Sequence, residues 1–401
     1  MLYTISDFQK TSDKHIQNAR NILKVMINKG HVSLGDIAHE CGLSVPTTTK
    51  IVEELVRDRF VRDLGARHKA GGRMPNMFDL NPSLGYFAGV EINNSLMRLG
   101  IIRFDGELAY SKEDIVFDLT EDVSVQELAV AIREAVKDSP IDASSIMVYT
   151  ISIPGRVNTH TMECLDYFRA SGSDTARLLE EALGAKVYLD NDSRVMCYGE
   201  YIHSHLSDYR NVLYINLGWG LGMGMILDGH LFYGGTGFSG ELGHVTMFDN
   251  EVFCRCGKKG CMETEVSGWA ALRLLKAKHF AGARSILSPR IEASEKISAE
   301  AMVEAVKSGD MLMIEIIEEM GANLGRGIAA MVNVLNPQLV VFGGVISEAG
   351  DHLLMSTVSS LRKNSISRVN RETTCILGKT GRLVTVLGAS YIARDRSLGI
   401  M

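Results

Sequence analysis

What the chain lacks narrows its class. It holds no run of about 18 consecutive apolar residues, so a membrane-spanning helix is not expected. Its opening residues, MLYTISDFQKTSDKH, lack the apolar core of a signal peptide. Both absences make the cytoplasm the default location. Cysteine is sparse and odd in number: seven in 401 residues, with Cys41, Cys164, Cys197 and Cys375 scattered. That argues against a disulfide framework and for reduced thiols, with one local cluster available as ligands. A strong surplus of charge is missing too, the net being −6. What is there, 46% hydrophobic and 22% charged residues, is the composition of a globular protein. A chain of 401 residues is too long for one ordinary core and implies two or three domains.

The modest net charge hides an asymmetry. Residues 1–80 hold 12 Lys+Arg against 9 Asp+Glu, a balance of +3, which leaves −9 for the remainder. A mildly basic head on an acidic body fits a small nucleic-acid-binding domain in front of something else, although three charges alone are within chance. The pattern says more. In DKHIQNARNILKVMINKG, Ile16, Ile22, Leu23, Met26 and Ile27 share one helical face, closed by Gly30. Ser33 then caps a short helix with Leu34, Ile37 and Ala38 inward. After the turn Gly42-Leu43-Ser44 comes a further helix with Ile51, Val52, Leu55 and Val56 apolar. Helix, glycine-containing turn, helix is the helix-turn-helix arrangement. Thr47, Thr48, Thr49 and Lys50 stand near the start of its second helix, where short hydroxyls and a lysine can meet phosphates and base edges. A helix used only for packing has no need of three threonines in a row, which cost helix propensity. Then FVRDLGARHKAGGRMPNMFDL reads as strand, tip, strand. Arg67, His68, Lys69 and Arg73 surround Gly71-Gly72, so the tip is either a solvated hairpin loop or a wing that lays an arginine in a minor groove. With the helix pair in front, the wing is the preferred reading, and residues 1–80 are expected to bind double-stranded DNA.

From Tyr86 the chain alternates glycine-bearing hairpins, buried strands and helices. Strands are expected across GYFAGVEINNSLMRLGIIRF, in IMVYTISI before Pro154-Gly155, in KVYLDN before a helix, and in the hairpin NVLYINLGWGLGMGMIL. A helix, a turn at Asn336-Pro337 and another strand follow, and RLVTVLGASYIARDRSL should close the chain with a strand and a helix. The pattern suggests a duplicated α/β body with a cleft between two lobes. The apolar, methionine-rich stretch from Ser308 to Leu335 reads first as core and second as an interface.

The densest chemistry lies in HVTMFDNEVFCRCGKKGCMETEVSG, from His244 to Gly268. Cys254, Cys256, Cys261 and His244 form a Cys3His set, which suits tetrahedral zinc in a structural role with no open position. The C-x-C spacing is shorter than usual for zinc. The competing reading, buried free thiols, fits poorly with the polar surroundings RCGKKGC.

At this point the chain resembles the ROK family, named for repressors, open reading frames and kinases. The segment GELGH followed by CRCGKKGCMETEVSG fits the family pattern E-x-G-H, then C-x-C-G-x-x-G-C-x-E, at every position. The resemblance covers nearly all of the chain. It implies a winged helix-turn-helix over 1–80 and a two-lobed α/β body of actin/hexokinase-like (ribonuclease H-like) fold. The first lobe would span 81–205, completed by a C-terminal helix at about 385–401, and the second 206–384 with the metal loop. It implies one structural zinc per chain. It also implies sugar contacts from Asn191, Asp192, Glu241, His244 and Glu263, with Asp192 at the position of the catalytic base in kinase members. On the bare sequence, Asp192 could equally be the N-cap of the helix that follows.

Phosphoryl transfer asks for more. Kinase members carry D-x-G-G-T after the first body strand so that backbone N–H groups can cradle phosphate. Here Glu91, Asn93, Asn94 and Ser95 stand in those places, and two amides replace the two glycines. The second turn, LGWGLGMG, keeps Gly218, Gly220, Gly222 and Gly224 but sets Trp219 where a phosphate-meeting threonine usually stands. The expectation is therefore a non-catalytic repressor that senses a sugar or sugar phosphate and controls carbohydrate-metabolism genes. The alternative is an ATP-dependent sugar kinase with an added DNA-binding head. A homodimer or homotetramer is expected, and a transporter subunit is a possible further partner.

Overall fold

Three helices and a hairpin open the chain. Helix α1 (Lys14–Lys29) is capped by Asp13, whose side chain accepts from the His15 and Ile16 backbone. Strand β1 (Val32–Ser33) leads into α2 (Leu34–Cys41), where Ser33 and Asp36 form a reciprocal capping box. Gly42, in the left-handed region, turns the chain into α3 (Val45–Arg57), which starts on the Ser44 cap with Pro46 in its first turn. Ile16, Ala19, Ile22, Leu23 and Met26 of α1 pack with Ile37 and Ala38 of α2 and with Ile51, Val52 and Leu55 of α3. Strands β2 (Val61–Lys69) and β3 (Gly72–Leu80) pair antiparallel, and β3 also takes β1, giving the sheet order β1-β3-β2. This is a winged helix-turn-helix. The computed structural model describes residues 3–9, 12–69, 72–93, 95–120 and 122–401, with the side chains of 66–69 and 72–74 excepted.

The body begins with β4 (Tyr86–Ile92), β5 (Leu96–Arg103) and β6 (Leu108–Val116), followed by α4 (Val125–Lys137) and β7 (Ile146–Ile153). The small pair β8 (Val157–Asn158) and β9 (Glu163–Cys164), helix α5 (Thr175–Leu183), strand β10 (Lys186–Asn191) and helix α6 (Asp192–His203) complete this run. Its sheet has the order β10-β7-β4-β5-β6. Pairs β4–β5 and β5–β6 are antiparallel, while β4–β7 and β7–β10 are parallel. Alternation along β4 divides its two faces. Ala88, Val90 and Ile92 enter the core with Leu128, Ile132 and Leu179 of α4 and α5. Phe87, Gly89 and Glu91 point the other way.

Continuing, β11 (Val212–Leu217), β12 (Leu221–Leu227) and β13 (His230–Leu231) precede helices α7 (Gly268–Phe280), α8 (Ser288–Glu292), α9 (Ala299–Lys307) and α10 (Met311–Leu335). Then come β14 (Leu339–Gly343), α11 (Asp351–Asn364), α12 (Ser367–Asn370) and β15 (Thr374–Leu377), in a sheet ordered β13-β12-β11-β14-β15. The methionine-rich stretch is α10. Met313, Ile316, Ile317, Met320, Leu324 and Ile328 are fully buried in this core, while Met311 and Val334 at its two ends are exposed.

The chain ends in α13 (Val384–Ser397). Here the structure corrects an expectation: the strand read at the start of RLVTVLGASYIARDRSL does not form, and the chain passes from a 3-10 turn, Gly381–Leu383, straight into the helix. The β-branched run Val384-Thr385-Val386 suggested a strand. The helix is buried on nearly every side, so it shows no amphipathic period to oppose that reading. It lies on the face of β4 that carries Gly89, where a Cβ would come 2.2 Å from the Val386 carbonyl oxygen, so only glycine fits. The chain separates into two compact units, Met1–Ser207 with Leu383–Met401, and Asp208–Arg382. Among the described residues no helix is long and apolar enough to cross a membrane.

Candidate functional site

His244, Cys254, Cys256 and Cys261 come together in the second unit, their ligand atoms all within 4.8 Å of one another. Short antiparallel bridges, Thr246 with Cys261 and Phe253 with Lys259, fold the segment into a knuckle. Gly260 is required there: its φ is +74°, and a Cβ would sit 2.2 Å from the Phe248 carbonyl oxygen. Cys254 Sγ lies 3.4 Å from His244 Nδ1, and Cys256 Sγ lies 3.5 Å from Cys261 Sγ. A tetrahedral ion with metal–sulfur bonds of about 2.3 Å and a metal–nitrogen bond of about 2.0 Å would hold such pairs about 3.5–3.8 Å apart. The donor set therefore fits a metal ion. The other imidazole nitrogen, Nε2, is 3.8 Å from the Glu241 carboxylate, the kind of outer partner that orients a ligating histidine.

The expected sugar contacts fall on both units. In the first, β10 delivers Asn191 and Asp192 to the strand end. The cap of α6 is Asn191, whose side chain accepts from the Ser193 and Arg194 backbone. That leaves Asp192 one position inside the helix rather than at its cap. Asp192 Oδ1 accepts from the Ser193 N–H at 2.7 Å and from Asn191 Nδ2 at 2.9 Å. Burial raises the Asp192 carboxyl above the usual aspartate range against these bonds and the nearby Arg194 charge. Behind the corner, the fully buried Arg194 pairs with Asp190 at 2.7 Å and reaches the Val157 carbonyl. In the second unit, Glu241 is exposed and Glu263 is buried. Glu263 accepts from the Leu221 N–H at 3.2 Å and from Trp269 Nε1 at 3.3 Å, with Arg255 Nε 4.0 Å away. Its carboxylate thus ties together the β11–β12 turn and α7. The sequence carried no signal for Trp269 or Arg255 in this role, because their partner is brought by the fold.

The first phosphate turn is not open. Between β4 and β5, the Asn93 side chain accepts from the Ser95 and Leu96 backbone at 3.3 and 3.0 Å. Those are donors a phosphate would need. Asn94 lies outside the described residues. Glu91 forms an ion pair with Arg98 at 2.9 Å, directly across the hairpin. Burial nevertheless raises the Glu91 carboxyl, opposed by Arg98 and reinforced by the charge of Asp192. At the second turn, the Gly268 N–H donates to the Gly218 carbonyl at 2.9 Å and the Trp269 N–H to the Trp219 carbonyl at 3.2 Å. The Ala270 N–H is taken by the Ser267 hydroxyl. The first donors of α7, which make a helix N-terminus attractive to anions, are used internally. Trp219 lies against Gly268 and is exposed.

On the head, Thr47 and Lys50 are exposed and Thr49 is half-buried. Thr48, expected beside them at the groove, is instead fully buried. It sits three, four and seven residues before Ile51, Val52 and Leu55 and so shares their inward face. Its hydroxyl has no hydrogen-bond partner among the described residues. The wing-tip side chains of Arg67, Lys69 and Arg73 lie outside the described residues; the Lys69 and Arg73 backbones pair across β2 and β3, and Arg67 stands at the irregularity between Ala66 and His68.

A winged helix-turn-helix joined to a glycine-rich α/β body with a Cys3His knuckle defines a DNA-binding class of protein with a kinase-like body. The chain belongs to the ROK family, whose model matches residues 87–396, and a winged helix-turn-helix DNA-binding model matches residues 17–62. It is 28% identical over 336 residues to a putative xylose repressor of Caldicellulosiruptor, covering 83% of this chain and 84% of that one. It is 27% identical over 273 residues to a glucokinase of Thermotoga maritima, a match to 66% of this chain and 83% of the glucokinase. Among solved structures, a ROK family transcriptional regulator, homologous to the MLC protein of Escherichia coli, superposes with a TM-score of 0.80 at 26% identity. That match covers 96% of this chain and 98% of the regulator, so it includes the head as well as the body. The actin/hexokinase-like body expected from the motifs is the fold these proteins share.

Proposed function

We propose that the protein is a DNA-binding repressor of carbohydrate-metabolism genes that responds to a sugar or sugar phosphate and does not transfer phosphate. The observation that carries this reading is the closure of the first phosphate turn by the Asn93 side chain, which takes the Ser95 and Leu96 backbone donors. The comparisons support it: the regulator's match extends through the head, whereas the glucokinase matches 66% of the chain. The proposed domains are 1–80, 81–205 with the C-terminal helix, and 206–384. Thr47, Thr49 and Lys50 are the proposed groove contacts, with Arg67, Lys69 and Arg73 on the wing. Asn191, Asp192, Glu241, His244 and Glu263 are the proposed effector contacts. His244, Cys254, Cys256 and Cys261 would hold one zinc ion, which in a closed four-ligand site supplies shape rather than chemistry. It would pin the loop that carries Glu241 and Glu263. Symmetric half-sites need at least a dimer, so a homodimer or homotetramer acting in the cytoplasm is proposed, with a transporter subunit as a possible second input.

D-xylose is the first effector to test, because the matched repressor is named for it. Incubation with ATP, magnesium and D-xylose or D-glucose should yield no sugar phosphate above background, while one of these sugars or its phosphate shifts the melting temperature. Robust turnover that disappears in Asp192→Ala would replace the repressor reading with the kinase.

A further inference from the structure

Around the 3-10 turn Ile5–Gln9, two side chains that belong to neither the proposed DNA contacts nor the proposed effector contacts, Tyr3 and Phe8, are buried as deeply as the core. Tyr3 is 1% exposed and Phe8 0%. Tyr3 grips the C-terminal end of α3 twice. Its backbone N–H donates to Asp58 Oδ2 at 2.8 Å, and Asp58 is the residue that ends the helix. Its hydroxyl lies 3.0 Å from Glu54 Oε2 and 2.7 Å from His15 Nε2, and His15 is 2.6 Å from the same Glu54 oxygen. The ring of Tyr3 stacks on Phe8 at 5.5 Å. From there aromatic contacts run without a break: Phe8 to Phe60 at 5.2 Å, Phe60 to Phe104 at 5.9 Å, and Phe104 to Phe87 at 6.2 Å. Phe87 sits on the face of β4 that ends at Glu91, and β4 is joined through β7 to β10, the strand that runs into Asp192. The same turn is clamped to the body elsewhere. Gln9 donates to the Tyr188 hydroxyl on β10 at 3.1 Å, and a Cβ at Gly399 would meet the Phe8 carbonyl oxygen at 2.6 Å.

We infer that Tyr3 and Phe8 are positioning residues for DNA recognition: they fix the recognition helix α3 to the first lobe and carry the state of the β4 strand to it. The inference rests on the DNA-binding reading of the head. Close-packed aromatic cores transmit displacement because they have few alternative packings. A ladder that joins the end of α3 to β4 lets a change at one end bias the other. Neither residue offers a group to phosphate or base. Their loss should therefore change how α3 is presented without removing a charge contact.

The experiment uses the full chain as wild type, Phe8→Ala, Phe8→Leu and Tyr3→Phe, with a duplex that the wild type selects from a random pool. Affinity is read at several salt concentrations, with and without D-xylose, and D-xylose binding is followed by calorimetry. Phe8→Ala should weaken the duplex by about tenfold or more while leaving the slope of log affinity against log salt unchanged, since no phosphate contact is lost. Phe8→Leu should restore most of it. Where the wild type shows a D-xylose response in the usual coupling range of about 5- to 150-fold, Phe8→Ala should shrink that ratio toward one with D-xylose affinity intact. Tyr3→Phe keeps the ring stack and removes only the hydroxyl between His15 and Glu54. It decides the matter if Phe8→Ala does not fold, and a several-fold loss of duplex affinity is expected. Wild-type affinity in both Phe8→Ala and Tyr3→Phe would overturn the inference, as would a loss accompanied by a smaller salt slope. A wild type that selects no duplex would instead sink the DNA-binding reading.

Discussion

At the scale of the residue, single side chains separate structural from functional roles. Asp192 is held above its ordinary pKa by burial, and Glu91 beside it is shifted the same way. A carboxyl with a raised folded pKa binds more protons folded than unfolded. Its contribution to stability is therefore fully present below the unfolded pKa and is lost as pH rises through the folded one. Asp192→Asn keeps an oxygen for the Ser193 and Asn191 donors and removes the buried charge. It should melt no lower than wild type at pH 8 and show a flatter fall of stability between mildly acidic and neutral pH. The same change should cost effector affinity roughly 10- to 100-fold, because a charge-assisted hydrogen bond to a sugar hydroxyl contributes about 1.5–3 kcal/mol. A variant both less stable and undiminished in sugar binding would contradict the assignment. For the metal knuckle, freshly purified protein should carry about one zinc equivalent, and Cys256→Ser should lose most of it. Metal analysis showing less than about half an equivalent in wild type would remove the zinc.

At the scale of the element, α3 shows why three threonines in a row are not equivalent. A helix turns 100° per residue, so Thr48 is carried to the core with Ile51 and Val52, while Thr47 and Lys50 remain outside. Thr48→Val replaces a buried, unpartnered hydroxyl by a methyl of the same shape. It should stabilise the protein by about 1 kcal/mol and leave DNA affinity unchanged. Lys50→Ala should do the reverse: unchanged melting, weaker DNA binding, and a salt slope smaller by roughly one unit. Chemical denaturation and salt-dependent binding on the two variants test both statements, and a loss of DNA affinity in Thr48→Val would return that residue to the groove. The β4–β5 hairpin teaches the same lesson about turns. Its Asn93 amide occupies backbone donors that glycines would leave for a phosphate.

At the scale of the whole molecule, the first unit unites the head, the five-stranded sheet and the last helix, so residues nearly 400 positions apart share one fold. Phe8 abuts Gly399, and Ser390 donates to the Gly100 carbonyl at 3.1 Å. Removal of α13 would uncover the β4 face at Gly89 and take away the buried Arg394–Asp395 pair, leaving the buried Tyr198 hydroxyl without its Asp395 acceptor at 2.7 Å. A chain ending before Val384 should therefore lose the cooperative melting of the first unit, and with it DNA binding. Retained operator affinity in that truncation would show that the head stands alone.

The sequence by itself determined whatever rests on local periodicity, local chemistry or a contiguous motif. The three helices of the head follow from apolar spacing, the Ser33 cap and the Gly42-Leu43-Ser44 turn. The Cys3His cluster follows from four ligands within 18 residues, and the loss of the first phosphate turn from two missing glycines. What only the tertiary structure decided depends on partners distant along the chain. The fully buried α13 read partly as a strand because burial on all sides erases a helix's periodic signature. Glu263 turned toward Leu221 and Trp269, and Thr48 turned inward, because packing rather than residue type sets which side of a polar group is left to solvent. The Tyr3–Phe8 strap had no sequence signal at all: its partners lie as far away as residues 54–60 and 399, and only folding brings them into contact.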